Sequence, residues 1–184
     1  MPPLPAYIPQ TQRGWLAVLL AAVLISVGGM ALQRGGASAL PTTAAPRVGF
    51  LAPDFTLPTH TGDELTLSDL RGRAIVLNFW ATWCAPCRVE TPYFQALSQQ
   101  YVDEVVFVGV NQGETAVTIQ MFADNYELTY PLVLDENSQI NREYAVFGLP
   151  TTYFIDADGV IRHVTPGAIN QAVLEDQIKA LLAP

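Results

Sequence analysis

Nineteen consecutive residues from Gly14 to Leu32 carry no charge and are mostly apolar, bounded by Arg13 and Arg34. That length suffices to cross a bilayer core as a helix. Beyond it the pattern breaks into short blocks. Residues 54–57 and 65–67 alternate apolar and polar on either side of Thr61-Gly62-Asp63, which predicts a hairpin. Residues 74–80 form a nearly continuous apolar run, as in a strand buried on both faces of a sheet. A helical pattern follows from Pro86 to about Tyr101, with Pro86 in the first turn, where its missing N–H costs nothing. Residues 105–110 predict a second buried strand, 115–126 a helix, 131–134 a short strand and 137–144 a short helix. Residues 151–155 and 160–164 flank Asp158-Gly159, a strong hairpin signal. The chain closes with a helix over 170–182, its apolar positions Val173, Leu174, Ile178, Leu181 and Leu182 at helical spacing. Strands alternating with helices, then a hairpin and a last helix, predict an α/β domain with a mixed sheet flanked by helices.

Four segments follow from this pattern: a tail over 1–13, a transmembrane anchor over 14–32, a flexible Gly-, Pro- and Ala-rich linker over 33–47, and one domain over 48–184. A cleaved signal peptide is the alternative, with Ala37-Ser38-Ala39 as a small-residue cleavage site. Arg34 between the apolar run and that site argues for an uncleaved anchor, as does the length of the run. The flanking charges, Arg13 against Arg34 and Arg47, do not orient the helix. Signal-anchor logic places the domain outside the cytoplasm.

The chain has nine basic and 17 acidic residues. Arg13 and Arg34 are the only charges in 1–46, so the domain holds seven basic residues against all 17 acids, a formal charge near −10. Nucleic acid is therefore not expected as a partner, because phosphate binding rests on clustered Lys and Arg.

The chemistry concentrates in Trp83-Cys84-Ala85-Pro86-Cys87, which holds the chain's only two cysteines. A disulfide staple gains most from a long loop, and this loop is minimal. A zinc site needs about four ligands, and His60 and His163 lie far off in sequence, so no metal is expected. Cys-x-x-Cys suits a cycle between dithiol and disulfide, in which one thiolate attacks a target and the second sulfur resolves the mixed disulfide. Between a strand and a helix, Cys84 falls at the helix N-terminus, where unpaired N–H groups and the helix dipole stabilise a thiolate. Cys84 is the expected nucleophile and Cys87 the more buried, resolving thiol. Trp83 and Pro86 wall the site.

PDFTL, VLNFWATWCAPCRVETP, VGVNQGET, YPLVLD and FGLPTTYFID together resemble thioredoxin-fold thiol–disulfide oxidoreductases, most closely the membrane-anchored ResA, TlpA and CcmG branch. The resemblance covers 48–184. It implies a thioredoxin-like mixed sheet with an N-terminal hairpin and a central insertion over 111–134. It also implies a protein-disulfide oxidoreductase outside the cytoplasmic membrane, with no cofactor. Expected partners are protein thiols and disulfides, apocytochrome c among them, and a membrane electron donor. Leu149, Pro150 and Thr151 match the family's cis-proline loop, which offers backbone groups to an extended substrate. Glu90 matches an acidic residue of the ResA branch, on the helix face of Cys87; an exposed helix glutamate near Arg88 is its plain alternative. Pro92 matches the proline that kinks the family's helix. Asn78 stands where ordinary thioredoxins carry a buried Asp, and an amide cannot exchange a proton near neutral pH. Glu90 is the better candidate for that task. Glu114 falls where the branch has an acid near the site, or serves only as a carboxylate before a helix.

Two competing readings are a peroxiredoxin and a copper-binding thiol chaperone. The first shares the opening FLAPDFTL and SDLRGR, but its Pro-x-x-x-Thr-x-x-Cys loop is absent, with Leu77 and Ala81 at the matching positions. The second suits soft thiolates but has no Met or His cluster beside the pair.

Overall fold

The computed structural model describes residues 41–183. The predicted tail over 1–13, the anchor over 14–32 and most of the linker lie outside them. Among the described residues no helix is long and apolar enough to cross a membrane.

A small hairpin comes first. β1 (Thr56–Pro58) pairs antiparallel with β2 (Glu64–Thr66), so its strands sit one or two residues from the expected spans. The turn is closed by the Thr59 hydroxyl, which accepts the Asp63 N–H at 3.1 Å, and Gly62 supplies the positive φ of 99°. The main sheet then runs β3 (Ala74–Trp80), β4 (Val105–Gln112), β5 (Leu132–Asp135), β6 (Thr151–Ile155) and β7 (Ile161–Pro166), in the spatial order β5-β4-β3-β6-β7. β3, β4 and β5 are parallel, whereas β6 is antiparallel to β3 and β7 to β6. Helices α1 (Ala85–Gln100), α2 (Ala116–Tyr126), α3 (Gln139–Glu143) and α4 (Gln171–Leu182) complete the chain. The mixed sheet, the N-terminal hairpin and the insertion, here α2 and β5, are those expected.

Alternation along the strands divides the core. One face collects Leu77, Phe79, Val108, Val110, Tyr153 and Ile155 with Phe55 and Tyr144. The other collects Val76, Phe107 and Phe154 against Phe94 and Leu97 of α1 and Leu174 and Ile178 of α4. On α1 the buried positions Cys87, Glu90, Thr91, Phe94, Leu97 and Ser98 follow one helical stripe, which includes a carboxylate among its apolar members. Pro92 lies inside this helix and removes one i to i−4 bond. A third cluster joins Trp80, Cys84 and Cys87 to Ile119 and Phe122 of α2 and to Leu132 and Leu134. The insertion thus walls the site rather than lying apart from it.

Gly109 of β4 is where this wall is tightest. A Cβ there would lie 2.7 Å from Leu132 Cδ2 and 2.8 Å from Trp80 Nε1. Gly109→Ala is therefore expected to destabilise the fold by about 1–3 kcal/mol, as overpacking of a core does. Urea unfolding checks this; an unchanged midpoint would mean the Trp80 ring moves aside freely.

Candidate active site

β3 ends at Trp80, and the turn Ala81–Trp83 leads directly into α1. Cys84 is the N-cap, with extended backbone, and its Sγ accepts the Cys87 N–H at 3.2 Å. Cys84 and Cys87 form a disulfide with Cα atoms 5.3 Å apart. Cys84 is 4% exposed and Cys87 1%, so the second sulfur is more buried only by a narrow margin. Trp83, beside them, is 64% exposed, and Pro86 is exposed as well. Both therefore border the approach to the sulfurs.

The antiparallel register of β6 on β3 pairs Phe79 with Thr151 and Asn78 with Thr152, which brings the preceding loop alongside the turn that carries Cys84. The Leu149–Pro150 peptide is cis, as the resemblance implies. Leu149 packs against both the cysteine cluster and the cluster on the opposite face. The three loop residues differ in what their backbones can offer. Pro150 has no N–H and its carbonyl accepts from Gly167 N–H at 2.8 Å, and Thr151 sits inside β6 between Phe79 and Pro166. Leu149 is the residue whose N–H and C=O have no partner among the described residues.

Glu90 is buried, at 2% exposure, so the reading of an exposed helix glutamate is overturned. One carboxylate oxygen accepts from Asn78 Nδ2 at 3.0 Å and the other from the Ile169 N–H at 2.9 Å. Asn78 Nδ2 also donates to Thr152 Oγ1 at 3.0 Å. Burial pushes the Glu90 carboxyl up to about 7, against the two hydrogen bonds that favour its ionised form. Asn78, unable to titrate, thus holds the acid that can. A nearby phenol, Tyr130, is pushed upward by burial and by the negative charge of Glu90.

Glu114 forms a second polar junction. Its carboxylate accepts the Thr82 N–H at 2.7 Å, the Thr82 hydroxyl, and Asn111 Nδ2 at 2.7 Å. It ties the start of the insertion to the turn two residues before Cys84. His60 bonds the Leu132 carbonyl and His163 packs on Phe154, and neither joins the cysteine cluster. A cavity of about 530 Å³ lies at the β1–β2 hairpin and is lined by no residue of the disulfide site.

The AhpC/TSA family model matches residues 48–164, more than half of the chain. The chain belongs to the AhpC/TSA family. It is 36% identical over 173 residues to the thioredoxin-like protein YneN of Bacillus subtilis, covering 90% of this chain and 97% of that protein. It is 38% identical over 135 residues to the thiol-disulfide oxidoreductase ResA of Geobacillus kaustophilus, covering 73% and 78%. A Chlorobium tepidum crystal structure designated thiol:disulfide interchange protein DsbE superposes with a TM-score of 0.68 at 33% identity, covering 72% of this chain and 96% of that one. This family member is a thiol–disulfide oxidoreductase of the ResA and DsbE type, with Cys84 and Cys87 as its Cys-x-x-Cys pair.

Sequence reasoning missed Thr82, Thr152 and the Ile169 amide. Threonines and a backbone N–H carry no motif, and only the crossing of β3, β6 and the segment before α4 assembles them. Glu114 was legible as a carboxylate before a helix, but its partners were not.

Two outcomes follow for this AhpC/TSA member. Because the native Glu90 carboxyl binds its proton more tightly than the ordinary 4.5, its contribution is full below about pH 4.5 and is lost as pH rises through about 7. The span corresponds to about 3 kcal/mol. Urea unfolding of the parent at pH 5 and pH 8 should show that loss, and Glu90→Gln should remove most of it. Equal pH dependence in both proteins would show that the carboxyl titrates normally. For Glu114→Ala, the Thr82 amide should exchange its hydrogen faster and stability should fall by about 1–3 kcal/mol, the cost of removing hydrogen bonds to a charged group. Hydrogen exchange resolved at Thr82 provides the check.

Proposed function

We propose that this oxidoreductase is a protein-disulfide reductase held at the outer face of the cytoplasmic membrane by residues 14–32, and that apocytochrome c is among its substrates. The observation that carries the polypeptide-substrate reading is the unpaired backbone of Leu149 beside the Cys84–Cys87 disulfide. An extended chain can add to that edge as a strand and present its sulfur to Cys84. The names of the ResA and DsbE relatives support the chemistry, and the charge-free run from Gly14 to Leu32 supports the anchor. A membrane donor returns the dithiol to its reduced form.

In the reduced protein the Cys84 thiolate, at the N-terminus of α1, attacks one sulfur of the substrate disulfide. A mixed disulfide forms and the other substrate sulfur leaves as a thiolate. Cys87 then loses its proton, and its thiolate attacks Cys84 Sγ. That releases the second substrate thiolate and closes the Cys84–Cys87 disulfide, so two electrons pass to the substrate. Glu90, one helical turn from Cys87 and with its carboxyl near 7, is suited to accept that proton. Trp83, Pro86, Leu149, Pro150 and Thr151 frame the approach.

The reduction potential of the Cys84–Cys87 couple tests the direction. A reductase should lie near thioredoxin, on the order of −270 mV; a value near −120 mV would indicate an oxidant. Cys87→Ser should accumulate mixed disulfides with protein partners, including apocytochrome c, whereas Cys84→Ser should accumulate few. Recovery of the protein in the membrane fraction tests the anchor, and a soluble mature chain beginning near Leu40 would replace it with the signal-peptide reading.

A further inference from the structure

The cavity at the β1–β2 hairpin, about 530 Å³, has the size of a small-molecule site and no part in the disulfide chemistry. Its two sides are fixed by bonds that reach across the fold. On the hairpin side, the Thr59 N–H donates to the Asp63 carbonyl at 2.7 Å. The His60 N–H donates to the Leu132 carbonyl at 3.0 Å, which ties the turn to β5. On the other side, the segment between α2 and β5 is held to α1, because the Thr129 N–H donates to Gln95 Oε1 at 3.0 Å. The walls are therefore preformed, and a ligand need not order them.

The chemistry of those walls is one-sided. Leu65, Leu70, Leu128 and Pro131 supply apolar surface, together with half-buried Tyr130. The acids on the cavity are Asp63, Glu64 and Asp69, and no lysine or arginine lines it. The ion pairs among the described residues, Arg162 with Asp156 and Lys179 with Glu175, involve none of these acids. His60 adds to the bias. Its Nδ1 lies 3.3 Å from the Leu132 carbonyl, which can only accept, so Nδ1 carries the proton and Nε2 of the neutral ring is an acceptor. A ligand that matches these walls brings N–H donors and positive charge on an apolar body. A bare metal ion does not match them, because among the described residues no three His, Cys, Asp or Glu side chains converge. We propose that this cavity binds a small organic cation, an amine whose ammonium lies among Asp63, Glu64 and Asp69 and whose apolar body lies against Leu65, Leu70 and Tyr130. The site is separate from the Cys84–Cys87 disulfide and independent of which disulfide substrate the enzyme takes.

The domain is acidic throughout, so general attraction of cations is the competing account, and the test separates the two. The probe is phenethylamine, added to the full-length protein in non-ionic detergent, with free probe set by dialysis and binding followed by amide NMR shifts. Residues 59–66 and 128–130 should move together on one saturable curve with a Kd below about 1 mM, a modest affinity for a ligand of this size. 2-Phenylethanol keeps the ring and the chain length but is neutral, and should bind about fivefold more weakly, the effect of two or three exposed charge pairs. Glu64→Gln combined with Asp69→Asn should weaken the amine by a similar factor and leave the alcohol unchanged. Asp63 stays in place because its backbone closes the turn. Asp176→Asn, an exposed acid of α4 outside the cavity, should change neither probe. Equal affinity for amine and alcohol, amine binding that survives the double variant, or shifts scattered over the acidic surface without saturation would each overturn the proposal. The amine–alcohol comparison is made on the parent and needs no variant to fold.

Discussion

The antiparallel pairing of β6 on β3 is the constraint on which the rest of the site depends. It sets Asn78 opposite Thr152 and Phe79 opposite Thr151. From that register follow the bond between Asn78 and Thr152, the position of Leu149 against the disulfide, and the division of the loop's surroundings between two sheet faces. Parallel pairing of β3 with β4 alone would leave the cysteines at the end of a strand with no surface beside them for a polypeptide. The hydrogen-bonded ladder is thus the physical link between a core strand and a reaction edge. A one-residue slip would turn Thr152 away from Asn78 and reverse which side chains meet the core.

A second constraint is electrostatic. Placing a carboxyl on the buried stripe of α1 opposes ionisation, and the Asn78 and Ile169 donors offset only part of that cost. The result is an acid balanced near neutral pH, one helical turn along α1 from Cys87. Such a position lowers stability where the carboxyl is charged, a common compromise at functional sites. Glu114 works differently: with three donors around its carboxylate, it braces the turn before Cys84 from the insertion side. One acid is buried and keeps its proton to higher pH than usual, and the other holds backbone.

The surface around the disulfide is divided in a way that suits an enzyme acting on chains rather than on small molecules. The sulfurs are covered, while Trp83 and Phe147 stand out on separate loops at the same end of the sheet. The free backbone of Leu149 lies in the loop that carries Phe147.

The sequence by itself determined the order of elements, the redox pair, the place of Cys84 at a helix start and the two faces of the domain. These are local properties: periodicity, the strand–turn–helix around Cys84, and a pair of cysteines with no other ligands near them in the chain. It also carried the family, through motifs spread from Pro53 to Asp156. Tertiary structure alone decided which polar groups meet. Glu90 shares the helix face of Cys87 in sequence, which still left an exposed helix glutamate near Arg88 as the alternative. Only the packing of α1 against Asn78 and the Ile169 amide buries it. Thr82 and Glu114 are 32 residues apart and joined by a crossover that no local pattern records. Phe147 stands exposed in the loop between α3 and β6, a placement that no local pattern records. Local rules assign each residue its element, and the register between elements assigns its partners.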